Sequence, residues 1–247
     1  MPTPFTHLAT APEILAVPEM PEAARAALMA EYPAFLLGNI APDVQTVSGQ
    51  SREATHFFQV PLNAAPPAHR QMLARHRRLA RRGDRGPAQA AFLAGYIAHL
   101  VLDQRWVAEI FEPVFGPRQM WDNFRERLYL HNVLRAHWDA ADLDRLPSTL
   151  DDALRGARPD RWLPFVDDAH LLTWRDLVAD QLGPGAGRTV EVFAQRMGAD
   201  PEALRALLAS QDELARRLYV HVPAGVLERY RAGAVMAAAA AIGEYWL

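Results

Sequence analysis

The chain has 247 residues, 50% of them hydrophobic, enough for one sizeable core in a single domain or in a domain with an appended lobe, and too apolar for a disordered protein. A formal charge of −3 and a pI near 6.3 exclude any general attraction to nucleic acid or anionic lipid, so polyanion binding would need a local patch. Cysteine is absent, which excludes disulfides, thiolate ligands and a thiol nucleophile and leaves His, Asp and Glu as the only strong metal ligands.

The first residues, Met1-Pro2-Thr3-Pro4-Phe5-Thr6-His7, contain neither a basic nor an apolar leader region; no secretory signal is expected, and the cytoplasm is the default compartment. Prolines at 2, 4, 12 and 18 predict a short helix around Phe5 to Leu8 and another after Pro12 instead of one long helix. Pro21 to Glu31 reads as a helix with proline at its first position and an apolar stripe of Ala24, Leu28 and Tyr32. The following Pro33 to Asp43 is apolar until Asn39 and ends in Pro-Asp, which places Asp43 on a turn as a turn-former or a ligand. Beyond a polar loop, Val44 to Gln50, Ser51 is positioned as an N-cap, and His56, followed by Phe57 and Phe58, faces inward or lies at a rim.

Between His69 and Arg85 lie seven arginines and a single acid, Asp84. The pattern predicts a solvated arginine-rich helix, with a phosphate-attracting lip over a site as the alternative reading. Gly83-Asp84-Arg85-Gly86-Pro87 then closes that helix and opens the central one, about 87–112. From Ala91 to Leu102 no side chain is charged, so this helix is buried on every side, and it is too short to span a bilayer. His99 and Asp103 are four apart and share a face, about 6 Å apart along the axis. A buried carboxylate needs a cation, either an arginine from a neighbouring helix or a metal ion that takes His99 and Asp103 together.

The next helix, about Arg118 to Leu143, carries an internal stripe of Trp121, Phe124, Leu128, His131 and Trp138. From Leu146 to Pro164 the chain reads as a surface connection with one short helix at Thr149 to Leu154. Helices at Phe165 to Leu182, Arg188 to Met197, Pro201 to Tyr219 and Pro223 to Trp246 complete an all-α chain with no transmembrane segment. The expected architecture is a multi-helical bundle around the central helix. Residues 1–145 form the metal-binding core, and 146–247 pack on it in one continuous domain.

The polar groups expected to be buried or half-buried in the first 140 residues are His7, Asp43, His56, His99, Asp103 and His131, the donor set of Zn²⁺ or another divalent first-row metal. At this point the chain resembles the zinc-dependent phospholipase C group, which is related to the zinc-dependent single-strand nucleases. The resemblance rests on Thr6-His7-Leu8, Gly38-Asn39-Ile40-Ala41-Pro42-Asp43, Ala54-Thr55-His56-Phe57 and Gly95-Tyr96-Ile97-Ala98-His99-Leu100-Val101-Leu102-Asp103, over roughly residues 1 to 140. It implies an all-α fold, zinc held by His7, Asp43, His56, His99 and Asp103, and hydrolysis of phosphodiesters. Because Gln104-Arg105-Trp106 follows the central Asp, one or two ions are expected in place of the trinuclear cluster of the secreted phospholipases. His131, on its aromatic stripe, is the candidate for a further ligand or for orienting a ligand carboxylate.

The function expected is therefore metal-dependent hydrolysis of a phosphoester, a phosphodiester or a phospholipid head group, with Asp43 as ligand or general base. An HD-type phosphohydrolase is disfavoured, since no His-Asp dipeptide occurs in the chain. The competing reading is a helical binding or scaffold protein in which these groups are hydrogen-bonded core polars or a structural metal site.

Overall fold

The uncharged stretch around Ala91 to Leu102 becomes the middle of a helix with no solvent face: every residue from Ala90 to Asp103 is buried. The computed structural model describes residues 1–121, 123–183 and 188–247, and among these the protein is all-α, a multi-helical bundle without strands. In chain order the helices are α1 (Pro4–Leu15), α2 (Glu22–Ala30), α3 (Tyr32–Ile40), α4 (Gln45–Ser48), α5 (Arg52–His56), α6 (Ala68–Arg75) and α7 (Pro87–Trp106). They are followed by α8 (Phe124–Leu143), α9 (Leu150–Arg155), α10 (Asp168–Leu182), α11 (Arg188–Met197), α12 (Pro201–Ala209), α13 (Gln211–Leu214) and α14 (Ala224–Trp246). No helix among the described residues is long and apolar enough to cross a membrane.

The central helix α7 is wrapped by α3, α14, α6 and α1. Its closest neighbour is α3, and glycine makes that approach possible. A methyl group on Gly38 would lie 2.0 Å from the Phe92 carbonyl oxygen, and one on Gly95 2.2 Å from that of Phe35. Polar ties fix the other partners: Gln104 Oε1 accepts from the Ala68 amide of α6 at 2.8 Å, and the Tyr230 hydroxyl of α14 donates to the Leu102 carbonyl at 3.0 Å. Helices from the second half thus pack on those of the first, α14 on α7 and α1, and α9 on α3. Arg231 of α14 adds a half-buried bridge, with its Nη2 2.7 Å from Glu13 of α1 and its Nη1 2.7 Å from Asp142 of α8.

Several element boundaries differ from the sequence reading, each for a local reason. Residues 4–15 form one helix through Pro12 instead of two. Pro12 is solvent-exposed on this helix, while Phe5, Leu8, Ile14 and Leu15 are buried, so core packing outweighs the interrupted ladder. The arginine-rich segment is helical only to Arg75; His76 leaves the helical region at φ −116 and ψ 64, and turns follow. The helix expected from Arg118 starts at Phe124, where Asn123 accepts from the Arg125 and Glu126 amides. Its buried face runs through Leu130, Val133 and Leu134, whereas Phe124 is 62% exposed and Trp121 precedes the helix. The single helix expected over 201–219 is interrupted at Ser210, whose hydroxyl caps a new start by accepting from the Glu213 amide.

Candidate metal centre

Five side chains from four segments meet beside α7. His7 comes from α1, Asp43 from the 3₁₀ turn Ala41–Val44 that ends α3, His56 from the last turn of α5, and His99 and Asp103 from α7. They form two overlapping groups, His7–His99–Asp103 and Asp43–His56–His99, and within each group the donor atoms all lie within 4.8 Å of one another. His7, His56, His99 and Asp103 are fully buried or nearly so, while the Asp43 side chain keeps 22% of its surface exposed and marks the side open to solvent.

The imidazole nitrogens are oriented from behind. His99 Nδ1 lies 2.8 Å from the Asn39 carbonyl, which can only accept, so the proton is assigned to Nδ1 and the Nε2 lone pair turns toward the carboxylates. His56 Nδ1 is 3.0 Å from the Thr55 hydroxyl, which itself donates to Gln45 Oε1 at 2.8 Å and so presents a lone pair to the ring; again Nε2 is left bare. Tyr96 of α7 holds the same turn by donating to the Thr55 carbonyl at 2.6 Å. Such backing by carbonyls and hydroxyls fixes the tautomer and ring angle of metal-ligating histidines. His7 is oriented by packing, its ring stacked 3.7 Å from that of His99.

The inward atoms are then left facing one another. His56 Nε2 lies 3.3 Å from Asp103 Oδ2 and 3.5 Å from Asp43 Oδ1, His7 Nε2 is 3.4 Å from Asp103 Oδ1, and His99 Nε2 is 3.7 Å from Asp103 Oδ2. These separations exceed ordinary hydrogen bonds, and Nε2 of His7, His56 and His99 and Oδ1 of Asp103 are buried with no hydrogen-bond partner. Two donors on one tetrahedral zinc, each roughly 2.0 to 2.1 Å from the ion, are about 3.3 to 3.4 Å apart. The spacing thus matches the edges of a coordination polyhedron, and the buried His/Asp group can hold a metal ion.

No family model matches the chain, and no curated protein or solved structure matches it. The chemistry of the site therefore rests on its own geometry.

The charges of the metal-free molecule follow from burial and from these contacts. Burial pushes His7 down from 6.5 to about 4, and the neighbouring His99 adds to the shift against the pull of Asp103. Burial would raise Asp43, but the contact with His56 and the charges of His99 and His56 outweigh it and hold the carboxyl down to about 2. Asp103 is likewise raised by burial and held well below the usual carboxylate range by His99, His56 and His7. His56 is lowered by burial and raised more by Asp103 and Asp43, for a net upward shift. The site thus keeps both carboxylates ionised and offers them cations.

One of those cations escaped the sequence reading. Arg52, one turn before His56 on α5, places Nη2 2.9 Å from Asp103 Oδ2, with its guanidinium 4.4 Å above the Phe58 ring centroid. Of the two partners foreseen for Asp103, the arginine is present, and the histidines around the same carboxylate could hold the metal ion. The signal was present: Arg52 and His56 are four apart and share a helix face.

His131 belongs to neither group of potential ligands. Its ring lies among Phe111, Phe115 and Trp106, and its Nε2 accepts from Trp106 Nε1 at 3.2 Å. That corrects the expectation of a further ligand: the nitrogen is already engaged, and burial, with the positive N-terminus and Arg135, pushes His131 well below its ordinary value.

Proposed function

We propose that this chain is a metal-dependent phosphoester hydrolase that cleaves a phosphodiester, with phospholipid head groups as the substrate class suggested by the resemblance to zinc-dependent phospholipases C. The observation that carries the reading is the set of buried Nε2 atoms of His7, His56 and His99, without hydrogen-bond partners and 3.3 to 3.7 Å from the Asp103 carboxylate, whose Oδ1 is also unpartnered. Zinc is the ion that this nitrogen and oxygen donor set suits best, held by His7, Asp43, His56, His99 and Asp103 as one ion or two. When bound, such an ion supplies Lewis acidity, acidifying water and stabilising charge on phosphoryl oxygens.

The residues divide the remaining work. Asp43, at the open side, serves either as one of these ligands or, free of the ion, as the base that orients an incoming water and takes its proton. The oxygen of that water attacks phosphorus, the bond to the alcohol oxygen breaks, and the proton taken from the water passes to that oxygen, so that a phosphomonoester and an alcohol leave. Arg52, with its side chain 20% exposed, can turn from Asp103 and donate to the two non-bridging phosphoryl oxygens, supplying positive charge where negative charge develops.

The depth of the cluster favours a second reading. With His7, His56 and His99 each 0% exposed, a metal there can brace α1, α5 and α7 without meeting a substrate. Metal analysis of the protein purified without added metal, followed by hydrolysis of a generic aryl phosphodiester with and without chelator, separates the two. Bound metal with chelator-sensitive turnover supports the hydrolase, bound metal without turnover the structural site, and absence of bound metal sinks both.

A further inference from the structure

The segment after α6 holds a second concavity, of about 670 Å³, between residues 74–79, the start of α7 and the loop at 161–164. Arg75, Arg77, Arg78, Arg85 and Arg161 line it, and Trp162 and Leu163 form an apolar part of its wall. The charge is largely uncompensated. Arg75, Arg77, Arg78 and Arg85 have no carboxylate at ion-pair distance among the described residues, and Asp84, the one acid between His69 and Arg85, is exposed and unpaired as well. Arg161 has only the exposed Asp160, at 3.5 Å. Arg85 donates one Nη to the Arg78 carbonyl, but its Nε is buried without an acceptor.

The backbone adds to this field. The twenty-residue α7 begins beside the cavity with Gly86 as an uncapped start and no acid in its first turn, leaving the positive end of its dipole uncompensated. Its first turn is tied to the opposite wall, where Gln89 Nε2 donates to the Trp162 carbonyl at 2.8 Å. In that wall Arg161 has φ 51, a conformation a non-glycine residue rarely adopts, and its amide donates to Asp168 Oδ2 at 2.6 Å.

We propose that this cavity is a binding site for a small molecule carrying two or more phosphate groups, distinct from the metal centre. None of the candidate metal ligands lines it. The charge on the ligand follows from the unpaired guanidiniums, which bind phosphate oxygens in bidentate fashion. Its size follows from the volume, within the range of small-molecule pockets. A nucleic acid fits less well, because the arginines converge on a cavity instead of tracking a backbone, and Arg82 leaves the group to cover the Trp246 ring at 5.0 Å.

Calorimetric titration of the full chain, stripped of metal because polyphosphates chelate it, tests the proposal with inorganic tripolyphosphate as the probe. Binding of one tripolyphosphate per chain is expected, with Kd on the order of 10 to 100 µM, falling in affinity as salt rises. Arg77 and Arg78 are exposed, so Arg77→Ala/Arg78→Ala keeps the fold, checked by circular dichroism, and weakens binding by about 10-fold or more. Arg52→Ala at the metal centre and Arg216→Ala in the separate cavity near Trp121 leave it within about twofold. Absent saturable binding, equal affinity for orthophosphate, or indifference to the double substitution would overturn the site. A single-stranded 20-mer DNA bound more tightly than tripolyphosphate, with the same arginine dependence, would overturn the small-molecule assignment.

Discussion

Gly95→Ala sets two forces against each other, and the structure decides between them. In an isolated helix, alanine is more stable than glycine by roughly 1 kcal/mol, which favours the substitution. In α7 the new methyl would lie 2.2 Å from the Phe35 carbonyl oxygen and 2.8 Å from the Asn39 amide nitrogen, against 3.4 Å for ordinary contact. Backbone atoms of a packed helix cannot rotate away, so α3 and α7 must part by about an ångström along their contact. Overpacking of this kind typically costs about 1 to 3 kcal/mol; contacts this short put the cost near the top of that range, so after the roughly 1 kcal/mol helix gain a net loss of about 2 kcal/mol is expected. The same displacement stretches the 2.8 Å contact between His99 Nδ1 and the Asn39 carbonyl, so metal affinity falls by about 10- to 100-fold, the usual scale for a partner that orients a ligand. Urea denaturation of the metal-free protein reads the first effect, and competitive zinc titration the second. A Gly95→Ala protein as stable as the parent, with the same zinc affinity, would refute the close helix contact as the frame of the site.

Four further outcomes follow from named contacts. The metal-free protein should lose stability as pH falls from 6.5 toward 4: His7, held at about 4, stays neutral in the native state while the unfolded chain takes up the proton, worth about 3 kcal/mol over that window. His7→Leu should flatten this part of a urea-midpoint profile, and an unchanged slope would contradict the burial argument. Asp139 of α8, raised by burial to about 7, has the opposite slope, so Asp139→Asn should gain stability relative to the parent between pH 4 and 8 in the same assay. Arg52→Leu should bind zinc at least as tightly as the parent, because a cation competing for Asp103 is gone, while turnover of an anionic diester falls; unchanged turnover would remove Arg52 from substrate binding. His131→Leu should cost about 1 to 3 kcal/mol by leaving the buried Trp106 Nε1–H unpaired, yet leave zinc affinity unchanged; a tenfold loss of affinity would return His131 to the site.

The parts of the fold legible in the sequence were those set by burial alone. An uncharged run from Ala91 to Leu102 has few places to go except the centre of a helical bundle, and His99 and Asp103 are carried there by spacing. Boundaries set by single hydrogen bonds were less legible. Neither the caps at Asn123 and Ser210 nor the continuation through Pro12 leaves a trace in hydrophobic periodicity. For the candidate site, each quoted motif placed its histidine or aspartate at the cluster, because each adjoins apolar residues that enter the core: His7 beside Leu8, Asp43 after Ile40, His56 before Phe57, and His99 and Asp103 within α7. Helical phase misled for the helix from 124 to 143: the aromatic stripe from Trp121 suggested one buried face, while the cap at Asn123 starts a helix whose buried face includes Leu130, Val133 and Leu134. His131 is buried, but against Trp106 and not against Asp103. Arg52 was passed over because an arginine near a helix start usually faces water, and only the fold reveals that a buried carboxylate waits one turn of α7 below His99.

The most direct test of the central claim, that the buried histidines and aspartates form a metal centre, is zinc titration of the chelator-treated full chain beside the Asp103→Asn chain. The account requires saturable uptake of one or two ions by the parent at submicromolar free zinc, with uptake weakened at least about 100-fold by Asp103→Asn, which replaces the carboxylate common to His7, His56 and His99. A parent that takes up no zinc at about 100 µM, or an Asp103→Asn protein that takes it up as tightly as the parent, would contradict it.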